Sequence, residues 1–207
     1  HMPESGLSNL LCYEDLLNAQ EDDFVWPDFD ENTASSLCYT SGTTGHPKGV
    51  LYSHRSSVLH AFCVSLPAVL ELSESESFLP VVPLFHANAW GTAYAAPMTG
   101  IKLVMPGPAL DGASLTEMMR EEGVTSTAGV PTVWAGLLDY WREHDTSVPT
   151  LRIMIIGGAA VPSSMVEAFD KEFGIEVRQG WGMTEMSPIG SVNMLKPEQR
   201  AGPEAER

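Results

Sequence analysis

One lysine, four hydroxyls and three glycines crowd into ten residues: Thr40, Ser41, Gly42, Thr43, Thr44, Gly45, His46, Pro47, Lys48 and Gly49. Glycines let a backbone turn through positive φ and let its N–H groups come close to a ligand. Successive N–H groups in such a turn form a concave anion site, and Lys48 adds a point charge suited to phosphate. The chemistry these types support is the cradling of a polyphosphate. The common NTPase loop is a different string, Gly, four residues, then Gly-Lys-Ser/Thr; here Pro47 stands where its second glycine belongs. From these residues alone, a Gly/Ser/Thr-rich surface hairpin with a solvated lysine remains an open alternative.

Three more segments carry chemistry. Residues 179–188 hold Gln179, Gly180, Trp181, Gly182, Met183, Thr184 and Glu185 in a glycine-bearing turn. A carboxylate beside a polyphosphate is repelled unless a cation lies between them, and Mg²⁺, which takes oxygen ligands, is the natural one. Thr184 or Glu185 capping a helix start is the competing reading. In residues 83–91, His86 and Trp90 stand four apart and share a face if the turn is helical. They are either a satisfied histidine beside a core tryptophan or an aromatic gate over a substrate channel. Residues 157–162 begin Gly157, Gly158, Ala159, Ala160. Small residues there let a planar adenine or an acyl chain lie flat on the backbone, or let a helix pack closely on a strand. No G-x-S-x-G nucleophile string is present, and the GxGxxG of nicotinamide binding is missing.

These segments need a scaffold. Apolar runs at 37–39 and 50–52 make the first segment strand, loop, strand. Ser53 can cap a following helix, whose apolar face is read as Leu59, Phe62, Cys63 and Leu66, ended by Pro67. Strand-like apolar runs then start near Phe78, Ile101, Thr125, Leu151 and Ile175, at intervals of about 24 residues. Helical stripes lie between them: Leu115, Met118 and Met119; Val133, Leu137 and Trp141 after Pro131; Met165, Phe169 and Phe173. Strands alternating with helices at this spacing predict an α/β fold, a largely parallel sheet with flanking helices. Ligands in such sheets sit at the carboxyl ends of the strands, where the chemistry-bearing segments fall.

Composition sets the outer bounds. The chain has 207 residues, 43% of them hydrophobic, and a formal net charge of −16. That charge argues against nucleic acid and anionic membrane surfaces as partners. Cys12, Cys38 and Cys63 form no CxxC pair, so neither a disulfide framework nor zinc is expected, and a reducing cytoplasm fits. No apolar run approaches the roughly 20 residues of a spanning helix. His1-Met2 reads as a cloning scar, 3–32 as a polar lead-in with an apolar helix-like patch around Leu10 to Leu17, 33–195 as the α/β domain with its phosphate loop at 39–50, and 196–207 as a cut polar tail. We therefore expect a piece of a longer protein.

Residues 39–50 resemble the phosphate-binding signature of the adenylate-forming superfamily of acyl-CoA synthetases, peptide-synthetase adenylation domains and luciferases. Residues 85–90 resemble the segment lining the family's acyl pocket, and 157–162 its adenine- and acyl-contacting turn. Residues 179–185 resemble its Tyr-Gly-x-Thr-Glu motif, with Trp181 in place of tyrosine. The His86-to-Trp90 pattern is most similar to medium- and long-chain fatty-acid–CoA ligases. The resemblance, over about residues 33 to 190, implies part of the large N-terminal domain of an enzyme that uses ATP, Mg²⁺ and coenzyme A. Such an enzyme makes an acyl-adenylate and then transfers the acyl group to the thiol. It implies that Thr40 to Gly45 and Lys48 hold the β/γ-phosphates and that Glu185 with Thr40 holds Mg²⁺. Thr184 would then contact the α-phosphate or the adenylate, and Gly157 to Ala160 with Gln179 to Met183 would frame the adenine and the acyl carbonyl. His86, Trp90 and Ala160 would line the acyl entry. On this reading Lys48, Thr184 and Glu185 carry the catalysis. An aryl, short-chain or amino acid as substrate, or a non-catalytic nucleotide-binding module, are the alternatives. Residues 83–97 lack the aspartate expected of an amino-acid adenylation domain. The family's ribose-binding aspartate, hinge and catalytic lysine have no counterpart here, since Lys48, Lys102, Lys171 and Lys196 are the chain's lysines and the last three lack a matching context. The chain alone is expected to fold as a subdomain and not to turn over; oligomeric state is left open.

Overall fold

The computed structural model describes residues 6, 8–40, 42 and 45–196. The chain divides into two compact units, residues 1–30 and 31–207. The first carries one short helix, α1 (Tyr13–Asn18), with no buried residue, and an edge-on contact between Phe24 and Trp26.

The second unit begins with two antiparallel strands, β1 (Ala34–Thr40) and β2 (Lys48–Ser53). They form a sheet of their own, separate from the main one. Ser53 then caps helix α2 (His54–Ser65): its side chain accepts from Ser56 N, and the Ser56 hydroxyl takes the reciprocal bond from Ser53 N. The cap is as expected; the buried face is not. α2 buries Ser57, His60, Ala61 and Val64, while Leu59, Phe62, Cys63 and Leu66 are exposed. The small residues face inward because α2 lies close against α4 (Thr92–Thr99) and the hairpin, where bulkier side chains would hold the elements apart.

The main sheet has six strands in the order β4-β3-β5-β6-β7-β8. β3 (Ser77–Val81), β4 (Lys102–Leu103), β5 (Ser126–Gly129), β6 (Ile153–Ile156) and β7 (Glu176–Gly182) run parallel. Each lies within two residues of its expected start. β8 (Ile189–Val192) returns antiparallel on β7; its Ile-Gly-Ser-Val sequence gives no apolar run to read. Helices α5 (Gly112–Glu121), α6 (Pro131–Glu143) and α7 (Ser163–Phe173) cover one face with the stripes read from the sequence. Leu115, Met119, Leu137, Trp141, Met165 and Phe169 are buried; Met118, Val133 and Phe173 pack beside them. The other face carries α2 and α4. β5 and β6 are buried along their whole length, as strands covered on both sides must be.

Arg178 on β7 ties a loop to this frame. Only 3% exposed, it pairs with Glu176 and Glu71 and donates to the carbonyls of Pro67 and Val69. A buried guanidinium needs such partners. It anchors the link from α2 to β3 beneath the strand that leads into the 183–188 turn.

Candidate active site

The β1–β2 hairpin closes at Thr40 and Lys48, which face each other as its last pair. Ser41, Thr43 and Thr44 lie outside the described residues. Gly42 has φ +67°, and a Cβ on it would stand 2.0 Å from the His46 carbonyl oxygen. Glycine is therefore dictated twice, by dihedral and by space. Gly45 also sits at positive φ, +83°. Alternate residues of a strand share a face, so Lys48, Val50 and Tyr52 project to one side of β2, and Tyr52 is buried.

Tyr52 joins this hairpin to the second motif. Its hydroxyl donates to the Thr184 carbonyl oxygen at 2.5 Å. Burial, then the neighbouring Cys38 thiol, then the Glu185 carboxylate push the phenol up to about 12, so it stays protonated and a donor. Thr184–Met186 form a single 3-10 turn with no side-chain cap. The capping alternative for Thr184 and Glu185 therefore fails, and both side chains are left for other work. β1 packs against this turn. Lys48 lies four residues from Tyr52, about 13 Å along the strand at roughly 3.3 Å per residue. The basic loop and the carboxylate-bearing turn thus belong to one neighbourhood, bridged by one tyrosine.

Glu185 is exposed, and the described residues contain no group of three or more His, Cys, Asp or Glu that could hold a metal alone. That suits Mg²⁺, which binds through one or two carboxylates plus substrate phosphates rather than in an all-protein cage. Glu185 and Thr40 offer a carboxylate and a hydroxyl, oxygen donors of the type Mg²⁺ takes.

The third motif is unusual. Ala87, Asn88, Ala89 and Trp90 all have positive φ, 47°, 55°, 51° and 55°, and Gly91 follows at 78°. Residues 87–90, the short element α3 (Ala87–Trp90), form one left-handed turn. A left-handed helical conformation costs L-residues roughly 1–2 kcal/mol each and persists only where surroundings impose it. Here they do. Ala87 and Ala89 are 2% and 1% exposed. Gly91 N donates to the carbonyls of Ala87 and Asn88, and the Thr92 hydroxyl donates to that of Ala89. Asn88 Nδ2 donates to Ser36 Oγ at 3.0 Å, and Cys38 Sγ lies 3.9 Å from Asn88 Oδ1.

Trp90 then lies over the glycine turn after β6. A Cβ on Gly157 would stand 2.7 Å from the Gly180 carbonyl oxygen and 3.2 Å from the Trp90 ring. Gly158, at φ +79°, faces the same indole. Between these pieces is a cavity of about 210 Å³ lined by His86, Trp90, Gly157, Gly158, Gly180, Trp181, Gly182, Met183 and Thr184, with Val64, Leu70, Ala128, Ile155 and Ile189 supplying apolar wall. The cavity thus brings together candidates from three motifs. Ala159 and Ala160 are exposed just past the glycines, and Gln179 is exposed on β7; none of the three lines the cavity. Thr40, Lys48 and Glu185 also lie outside its lining.

His60 supports the cavity from behind. It is 6% exposed; Nε2 accepts from Ile189 N at 3.3 Å. Nδ1, which has no hydrogen-bond partner among the described residues, lies 2.3 Å from where a Cβ on Gly91 would stand. Desolvation lowers the imidazole to about 4, so it is neutral at physiological pH.

Tyr52, Asn88 and His60 escaped the sequence reading. Tyr52 looks like any strand residue and His60 like part of a helix. Asn88 offered one signal, since asparagine tolerates positive φ better than most residues.

The chain matches the model of the AMP-binding enzyme family over residues 6–205. It is 54% identical over 187 residues to a medium-chain-fatty-acid–CoA ligase of Ectopseudomonas oleovorans, covering 90% of this chain and 34% of that one. It is 49% identical over 201 residues to a 3-methylmercaptopropionyl-CoA ligase of Ruegeria lacuscaerulensis, covering 97% of this chain and 37% of that one. Among solved structures, the inhibitor-bound N-terminal domain of FACL13 from Mycobacterium tuberculosis superposes with a TM-score of 0.77 at 27% identity, over 86% of this chain and 44% of that one. The chain thus spans about a third of the length of these curated relatives. With sequence match, fold and the grouping of three motifs around one cavity in agreement, the chain belongs to the AMP-binding enzyme family.

Proposed function

We propose that these residues are the nucleotide- and acid-binding part of an AMP-forming acyl-CoA ligase acting on a medium-length fatty acid. The observation that carries this reading is the Tyr52–Thr184 bond, which fastens the Lys48 hairpin to the Glu185 turn beside an apolar cavity. The reaction balances as two displacements. A carboxylate oxygen attacks the α-phosphorus of ATP, and pyrophosphate leaves. The thiol of coenzyme A then attacks the acyl carbon, its proton is lost, and AMP leaves.

Both first-step reactants are anions, so the site must supply positive charge and oriented dipoles. Lys48 and the backbone N–H groups of the Thr40–Gly45 loop hold the β- and γ-phosphates. Thr184 positions the α-phosphate, and Gln179, Gly180 and Trp181 frame the adenine with Gly157 to Ala159. Glu185 and Thr40 would hold Mg²⁺, which would supply positive charge beside the leaving pyrophosphate. His86 and Trp90 border the acid, whose tail enters the apolar cavity, while Ala160 stands at its entry. The three cysteines are free, and we place the protein in the cytoplasm. No helix among the described residues is long and apolar enough to cross a membrane.

A second reading, a short acid, is favoured by one feature. The cavity, about 210 Å³, is smaller than the roughly 300–1,000 Å³ usual for ligand pockets, and the acyl group in the Ruegeria relative's name, 3-methylmercaptopropionyl, is short. ATP–pyrophosphate exchange on the protein at its relatives' length, with acids graded from butyrate to palmitate, separates the readings. A maximum at medium length supports the first, and a maximum at butyrate the second. Exchange independent of any acid overturns both.

A further inference from the structure

We infer that Asn88 is a positioning residue that fixes where Trp90 stands, and through it the depth of the acid cavity. The inference deepens the function proposed above and rests on it for the word acid; the placement of Trp90 does not. Two facts combine. Trp90 lines the cavity from the end of a left-handed turn that has no glycine until Gly91. Asn88, in the middle of that turn, reaches outside it: its amide donates to Ser36 Oγ at 3.0 Å and its oxygen faces the Cys38 thiol. Both partners belong to β1, fifty or more residues earlier in the chain.

The other bonds that hold the turn are local. Gly91 N and the Thr92 hydroxyl bond back to residues 87–89, so they shape the turn without locating it. Asn88 is the member that both tolerates the left-handed conformation and ties the turn to the phosphate hairpin. With the tether cut, the turn keeps its shape but is free to shift over Gly157 and Gly158, against which the indole packs.

The test is ¹⁹F NMR on the chain labelled with fluorotryptophan, where the five tryptophans give one line each and Trp90→Phe identifies the Trp90 line. Asn88→Gly keeps the left-handed φ at no steric cost and removes the tether. It is expected to shift and broaden the Trp90 line, while the lines of the core residues Trp134 and Trp141 stay put. Ser36→Ala should move the same line in the same direction, and the double variant should add little to the larger single change, as coupled residues do. An unmoved Trp90 line in Asn88→Gly overturns the inference, and so does loss of the Trp134 and Trp141 lines, which makes Asn88 a folding residue. In a separate arm, calorimetric titration with octanoate should show Asn88→Gly binding about tenfold more weakly than the parent, the loss of roughly one hydrogen bond's worth of placement. Octanoate binding unchanged in the variant overturns the link to the cavity. No octanoate binding by the parent itself counts against the proposed function and against acid as the occupant, leaving the ¹⁹F result to decide the placement of Trp90.

Discussion

The Tyr52 hydroxyl and the Thr184 carbonyl oxygen, 132 residues apart in sequence, meet at 2.5 Å. Two loops that each look ordinary are thereby held at one site. Tyr52→Phe removes the donor without changing shape, and should lower stability by about 1 kcal/mol. Amide exchange at residues 183–186 should rise more than exchange in β5 or β6. In the parent protein, one tyrosine should titrate near 12 rather than near 10 when phenolate absorbance is followed. Because its folded value is raised, the stability it contributes is full below pH 10 and lost as pH rises to about 12.

His60 predicts the opposite slope on the acid side. Its folded value, about 4, lies below the ordinary 6.5. As pH falls below 6.5 the unfolded chain takes up a proton that the folded chain refuses, so stability is full above that pH and drains away toward about 4. Unfolding free energies from urea titrations at about pH 7 and about pH 5 should differ by about 2 kcal/mol more in the parent than in His60→Gln. Equal slopes would remove His60 from the acid response.

Gly157→Ala tests the close approach of three elements. Its methyl would meet the Gly180 carbonyl oxygen at 2.7 Å and the Trp90 ring at 3.2 Å. Backbone cannot step aside as a side chain can, so we expect a loss of about 1–3 kcal/mol and a displaced Trp90, read by thermal melting and by the tryptophan fluorescence maximum. Gly136→Ala on α6, where a Cβ meets nothing within 4 Å, is the control and should be neutral or slightly stabilising.

The inverted face of α2 gives a fourth test. Phe62→Ser, at a side chain 58% exposed, should change stability by no more than about 0.5 kcal/mol. Val64→Ala, at 1% exposed, should cost about 2 kcal/mol. Reversed magnitudes in chemical denaturation would return α2 to the face its hydrophobicity suggests.

What could be read from the sequence follows from how locally each feature is encoded. The strand positions were legible because Phe78–Val81 or Ile153–Ile156 announce burial by composition alone. So were the stripes of α5, α6 and α7, which have one apolar side. α2 was not, because its most apolar residues, Leu59 and Phe62, oppose the small ones that packing selects; the choice between faces is made by neighbours distant in sequence. The glycine turns and the Thr184–Glu185 pair stood out through unusual residue types. The handedness of the Ala87–Trp90 turn did not, since alanine and tryptophan are poor residues for it and it is held by the burial of Ala87 and Ala89 and by the bonds of Gly91 and Thr92 back onto the turn.

Strands β1 and β2 bond to each other and share no ladder with the six-stranded sheet. Their attachment therefore runs through side chains such as Tyr52 and Asn88 rather than through a continuous run of amides. The placement of Lys48 relative to the cavity floor therefore rests on a few point contacts, each of which a single substitution can remove.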